Sequence, residues 1–210
     1  MSDLQAITET LITGDGEKLQ ELVQAAVDAG VPANEILQKA LIVGMDIVGE
    51  KMETGEMFIP EVLMSARAMS ISVEILKPLL AAGEAVSAGK IVIGTVKGDL
   101  HDIGKNLVVM MMESAGFEVI DLGVDVDPAK FVAAIKENKP NIVGLSALLT
   151  TTMPMMRKSI ESIEESGLRD GLKIIVGGAP VNQAFADEIG ADGYASDAGS
   201  ASKMAKAMYA

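Results

Sequence analysis

Residues 90–115 read KIVIGTVKGDLHDIGKNLVVMMMESA. The stretch opens on a β-branched apolar run, Lys90 to Val96, and crosses a polar segment with two glycines. From Asn106 to Ala115 it continues with apolar residues three and four apart. A short apolar strand leading into an amphipathic helix is half of a βαβ unit. The alternation then repeats. Strands are predicted at 117–122, 141–146, 173–176 and 193–195, and helices at 129–137, 153–165, 182–189 and 198–208. Strands this short and this uniformly apolar need cover on both faces, which means a parallel sheet between two helical layers.

Upstream the period changes. From Asp3 to about Leu80 apolar residues recur at helical spacing, as in Leu4, Ile7, Leu11 and then Leu19, Leu22, Val23, Ala26, Val27. Gly14, Gly16 and Gly30-Val31-Pro32 punctuate the pattern, a third helix is predicted from Ala33 to Met52, and a fourth starts at Pro60, a residue suited to a first helical turn. Residues 83–89 are small and weakly patterned. The expected fold class is α/β: an N-terminal four-helix bundle over 1–82, a linker over 83–89, and a flavodoxin-like or Rossmann-like five-stranded domain over 90–210.

Composition narrows the function. The 210 residues carry 17 Lys+Arg against 30 Asp+Glu, a net charge of -13, so a nucleic-acid backbone would be repelled. Six aromatic residues supply little for stacking on bases. The absence of cysteine excludes disulfides, thiolate metal sites and a cysteine nucleophile. No apolar run approaches the roughly 18 residues of a membrane helix, and MSDLQAITET has no basic region leading into an apolar one. The expectation is a cytoplasmic protein with neither a nucleic-acid nor a membrane partner.

In an open parallel sheet, ligands bind beyond the carboxyl ends of the strands, beside the point where strand order reverses. The first strand runs into Gly98-Asp99-Leu100-His101-Asp102-Ile103-Gly104, which holds the chain's one histidine. The third runs into Ser146-Ala147-Leu148-Leu149-Thr150-Thr151-Thr152, and the fourth into Gly177-Gly178. In the order 2-1-3-4-5 these three loops form one rim. Asp99 and His101, two apart on an extended loop, point the same way, which places a carboxylate behind an imidazole. One histidine does not build a zinc site. His101 is therefore either a general acid/base or one ligand to a metal whose other ligands come from a cofactor. Gly98 and Gly104 permit tight turns and close approach of a bulky group. Taken alone, the motif reads most simply as a structural histidine between turn glycines.

The motif does not stand alone. Asp99-x-His101-x-x-Gly104, then 41 residues, Ser146-x-Leu148, then 28 residues, and Gly177-Gly178 resembles the corrinoid-binding signature of cobalamin-dependent methyltransferases and mutases. Gly44–Gly49 and Met57–Met69 are similar to the cap module of cobalamin-dependent methionine synthase and of small methanogen or acetogen corrinoid proteins. In size and plan the chain most resembles the free-standing corrinoid proteins of methylamine, quaternary-amine, methanol or methoxy-compound methyl transfer.

The resemblance implies a cobalamin or related corrinoid bound base-off, with His101 as lower ligand to cobalt. Asp99 would hydrogen-bond His101 and Thr152 would extend the relay. Gly98, Asp102, Ile103 and Gly104 would pack against the cofactor. Ser146, Leu148, Thr150, Gly177 and Gly178 would line the slot for its nucleotide tail, with Tyr194, Ser196 and Asp197 closing it. Met52 and Ile59 match the capping pair over the upper face; methionine at 52 departs from the aromatic residue of methionine synthase, though a flexible thioether still covers a flat face. The clusters Met110–Met112 and Met153, Met155, Met156 read as core. The implied activity is that of a methyl carrier, non-catalytic alone. A substrate-specific methyltransferase would load cobalt(I), and methylcobalt(III) would pass its methyl group to a second methyltransferase that uses coenzyme M or a tetrahydrofolate. A reductive activator completes the partner set, and 81–89 would be the hinge that exposes the cobalt to each. A cobalamin-binding sensor or regulator is the alternative, but it would carry an effector domain that is not visible here. A radical-mutase small subunit would lack the helical half, and a flavodoxin-like acid/base enzyme remains if the motif is coincidental.

Overall fold

The computed structural model describes residues 4–80 and 88–209. The chain divides into two units, the second beginning at Ala88. The expected linker at 83–89 and hinge at 81–89 fall outside the described residues except for Ala88 and Gly89.

The first unit is helical: α1 (Leu4–Thr13), α2 (Gly16–Asp28), α3 (Ala33–Ile36), α4 (Ile42–Glu53) and α5 (Ile59–Leu76), with a closing 3-10 turn at Lys77–Leu79. Its buried side chains are the ones at helical spacing, among them Ile7, Leu11, Leu19, Val23, Met45, Val48, Val62 and Met69. The turn between α1 and α2 has to be glycine: Gly14 sits at φ 72, and a Cβ there would lie 2.7 Å from the Met64 Cβ. The third predicted helix is continuous over 33–53, but Leu37–Leu41 is wound as a π-helix between α3 and α4. A π segment displaces a carbonyl from the regular ladder. The Ala40 carbonyl accepts from the Thr8 hydroxyl of α1 at 3.1 Å, so the irregular turn gains a partner from a neighbouring helix.

The second unit alternates β1 (Lys90–Thr95), α6 (Ile103–Ser114), β2 (Glu118–Asp121), α7 (Pro128–Asn138), β3 (Ile142–Ser146), α8 (Met153–Glu165), β4 (Lys173–Gly177), α9 (Gln183–Glu188), β5 (Gly193–Ala195) and α10 (Ala198–Tyr209). The sheet is all parallel with strand order β2-β1-β3-β4-β5. Val92, Val143, Leu145, Ile174 and Val176 pack with Phe131, Met156 and Ile160 in one buried cluster. Met111, Met112 and Met156 are buried, and Met110, Met153 and Met155 are half-buried. One boundary differs from expectation. The sequence places the start of α6 at Asn106, whereas the helix begins at Ile103 because Asp102 accepts both the Asn106 backbone N–H and its side-chain amide, ending the loop early. Ile103, Gly104 and Lys105 therefore belong to the first turn of a helix. Among the described residues no helix is long and apolar enough to cross a membrane.

Candidate functional site

In-register pairing sets the site's frame. Thr95 of β1 lies opposite Ser146 of β3, and Ser146 opposite Gly177 of β4, so three strands end level and their loops leave side by side. The first loop folds inward at once: the Asp99 N–H bonds the Val96 carbonyl at 3.1 Å, and Gly98 turns at φ 81. This carries the Asp99 side chain into full burial beneath the rim.

A buried carboxylate survives only if its lone pairs are met, and here every one has work. Oδ1 accepts from the His101 backbone N–H at 3.1 Å and faces the imidazole Nδ1 at 2.7 Å. Oδ2 accepts from the Leu148 N–H at 2.7 Å, the Leu149 N–H at 3.3 Å and the Thr152 hydroxyl at 2.7 Å. Burial by itself would raise the Asp99 pKa. The hydrogen bonds from Thr152, His101 and Leu148 outweigh it and hold the group ionised, well below the usual carboxylate range.

The ionised Oδ1 needs a proton on Nδ1, which leaves the lone pair of the neutral ring on Nε2. No described residue bonds Nε2, and half of the imidazole is exposed to solvent. Thr95, fully buried at the end of β1, donates its hydroxyl to the His101 carbonyl at 2.9 Å. Ring and backbone of His101 are thus both held, by Asp99 and Thr95. The site presents one basic nitrogen outward, aimed by a buried anion.

The structure brings together Asp99, His101, Leu148 and Thr152 by direct bonds, and sets Gly98 and Ser146 in the adjoining backbone. Asp102, just before α6, and Ile103 and Gly104 of its first turn are exposed, and Thr150 is exposed on the loop after β3. Gly177 and Gly178 have a packing reason for being glycine: a Cβ at 177 would lie 3.0 Å from the Ala195 carbonyl oxygen. At 178, where φ is 133, it would lie 1.9 Å from that of Ala147. Tyr194 lies within β5, packed against the core cluster. Ser196 and Asp197 join Ser200 in capping α10. In the helical unit, Met52 is half-buried near the end of α4 and Ile59 is exposed as the first residue of α5. Phe58, Leu63 and Met64 beside it are exposed as well. Sequence reasoning missed Thr95 and Leu149. Thr95 was legible as the lone hydroxyl in an apolar strand; Leu149 acts through its backbone and leaves no trace in residue type.

Whether these residues suit a corrin ring follows from the same geometry. At Gly104, three residues after His101, nothing lies within 4 Å of where a Cβ would sit, so the first turn of α6 is open there. Leu100, Ile103 at the start of α6, and Leu148 and Leu149 after β3 expose apolar side chains. An aimed imidazole with open space and apolar neighbours fits a wide, flat, metal-bearing ligand. Among the described residues no group of three or more acidic or imidazole side chains is set to hold a bare ion.

Comparison with known proteins agrees. A family profile described as a B12 binding domain matches residues 89–202, and a second of the same description matches 3–77. A corrinoid protein of Desulfitobacterium hafniense (strain Y51) is 46% identical over 208 residues, 98% of this chain and 96% of its own. Dimethylamine corrinoid protein 1 of Methanosarcina acetivorans is 47% identical over 208 residues, 99% of this chain and 97% of its own. Among solved structures, a cobalamin-binding protein of Desulfitobacterium hafniense DCB-2 superposes with TM-score 0.86 at 37% identity, covering 99% of both chains. The methanol:cobalamin methyltransferase complex of Methanosarcina barkeri contains a chain matching with TM-score 0.84 at 34% identity, over 97% of this chain and 78% of that one.

Proposed function

This chain belongs to the B12-binding corrinoid proteins, and on that premise we propose that it carries a methyl group between methyltransferases on a corrinoid held from below by His101. The observation that carries the reading is the 2.7 Å contact between Asp99 Oδ1 and His101 Nδ1, which leaves Nε2 as an outward base. When bound, the corrinoid supplies a cobalt ion that takes up a methyl group from one partner and yields it to another.

The protein's part is to hold, aim and release. Asp99 keeps the proton on Nδ1, so Nε2 would be the nitrogen that holds the metal. The Asp99 carboxylate lies against Nδ1, on the other ring nitrogen from the one that would hold the metal. Thr152 and the amides of Leu148 and Leu149 keep that anion ionised throughout. The proposed relay of Asp99, His101 and Thr152 would therefore hold the ring in one orientation. Gly98, Asp102, Ile103, Gly104, Ser146, Leu148, Thr150, Gly177, Gly178 and Tyr194 are the proposed cofactor contacts. Met52 and Ile59, on a helical cap of residues 1–82, are the proposed shield for the methyl group.

The proposed partners are a substrate:corrinoid methyltransferase, a second methyltransferase using coenzyme M or a tetrahydrofolate, and a reductive activator, all in the cytoplasm. Relatives named for dimethylamine and trimethylamine make methylated amines the first donors to test. The test is reconstitution with hydroxocobalamin, then reduction and addition of methyl iodide, followed by absorption. Retention of a base-off, histidine-coordinated cofactor whose spectrum changes at each step is expected; failure to retain any corrinoid would overturn the reading.

A further inference from the structure

The loop after β2 is fastened to the loop that carries His101 by a residue in an unusual conformation. Asp125 sits at φ 53, one of two non-glycine residues with positive φ among those described. Aspartate tolerates the left-handed region better than most side chains, yet such a conformation persists only where its surroundings impose it. Here they do. The Asp125 carboxylate accepts the Gly98 N–H at 2.7 Å, and the Asp125 N–H donates to the Asp99 carbonyl at 3.0 Å. One residue thus grips the Gly98–Asp99 peptide from both ends across a gap of 27 positions.

We propose that Asp125 is a positioning residue for His101, fixing the backbone of Asp99 so that the buried carboxylate meets the imidazole at the angle coordination needs. The backbone of Asp99 has three anchors: its N–H on the Val96 carbonyl, its own carbonyl on the Asp125 N–H, and the preceding N–H on the Asp125 carboxylate. Two of the three come from Asp125. The neighbouring Lys97–Asp127 ion pair and the Val96–Val126 bridge also bring the loops together, but the contact that each makes between the loops is not to Gly98 or Asp99. They set proximity, whereas Asp125 sets orientation.

The inference rests on His101 as lower ligand, so the experiment separates the two claims. The probe is aquacobinamide, which has no lower base of its own, bound to the full chain and followed by absorption. Asp125→Ala and Asp125→Gly are expected to weaken its binding about fivefold with loss of the histidine-coordinated spectrum, the scale of one modest hydrogen bond. Asp125→Asn, which keeps an acceptor oxygen and tolerates positive φ, is expected to stay within about twofold of the wild type. Asp125→Gly removes the backbone strain along with the carboxylate, so it folds even where the alanine variant does not. The imidazole NMR signals of the cofactor-free protein, which come from a single histidine, are expected to shift in the alanine and glycine variants while melting is preserved. If His101→Ala binds and absorbs like the wild type, the lower-ligand reading fails. If His101→Ala is impaired while the alanine and glycine variants at 125 match the wild type, the positioning role alone is overturned.

Discussion

Replacing Asp99 by asparagine keeps the shape of the side chain and breaks its logic. Aspartate offers acceptors on both oxygens, Oδ1 to the two nitrogens of His101 and Oδ2 to Leu148, Leu149 and Thr152. An amide has one oxygen. If it faces Leu148 and Thr152, its NH2 group meets the His101 N–H and switches the imidazole to the other tautomer, because Nδ1 must now accept and Nε2 carry the proton. Leaving one buried N–H unpaired costs about 1–3 kcal/mol, and turning charge-assisted bonds into neutral ones adds about 1 kcal/mol. The sum, about 2–4 kcal/mol, corresponds to a fall in melting temperature on the order of 10 °C for a unit of this size. The assay is thermal unfolding of the cofactor-free protein at pH 7, with nitrogen-15 NMR of the single histidine to read which ring nitrogen is protonated. Melting within about 2 °C of wild type, the scale of roughly half a kcal/mol, together with a proton still on Nδ1 would refute the account of Asp99 as the group that aims the ring.

Gly104→Ala meets open space and sits in a helical turn, so the cofactor-free variant is expected to melt at or slightly above the wild type, by up to about 1 kcal/mol, while its affinity for hydroxocobalamin falls; unchanged affinity would remove Gly104 from the contact set. Gly178→Ala is the converse, since its Cβ would strike the Ala147 carbonyl oxygen; a loss of about 3 kcal/mol or more is expected in urea unfolding without any cofactor. Asp192 tests a pH effect away from the site. Burial opposes its charge, but the Ile174 N–H and Arg169 outweigh burial and lower its pKa. Asp192→Asn is expected to cost about 1–2 kcal/mol at pH 7. Because the folded pKa is depressed, that difference stays whole above the ordinary value of 3.8 and shrinks as pH falls through the folded pKa; unfolding curves whose gap is the same at pH 7 and pH 2 would contradict it.

The strands were legible because the apolar runs from Lys90 onward are short, bounded by polar loops and, in β1, β3 and β4, rich in Ile and Val. A parallel sheet buried on both faces has no other way to be written. The π segment at 37–41 was not, since its apolar residues continue the spacing of an ordinary helix and the difference lies in the Thr8 hydroxyl of another helix. At the site, Asp99 and His101 were legible from their spacing of two, and Thr152 by resemblance. Asp125 was invisible because nothing distinguishes it in Gly123-Val124-Asp125-Val126-Asp127 until the fold brings it to Gly98. What sequence carries poorly is a bond whose partner is a backbone group far along the chain.

The amides of Leu148 and Leu149 extend that point to mutational drift. Asp99 binds the peptide at these positions and is indifferent to the side chains, which lie exposed. Nearly any residue can therefore stand at 148 or 149 without disturbing the anion beneath. Proline alone, which has no N–H, would silence either amide. The residues proposed to line the ligand are thus free to change while the amides that hold Asp99 remain, and two proteins with different side chains on this loop could still hold a histidine at the same angle.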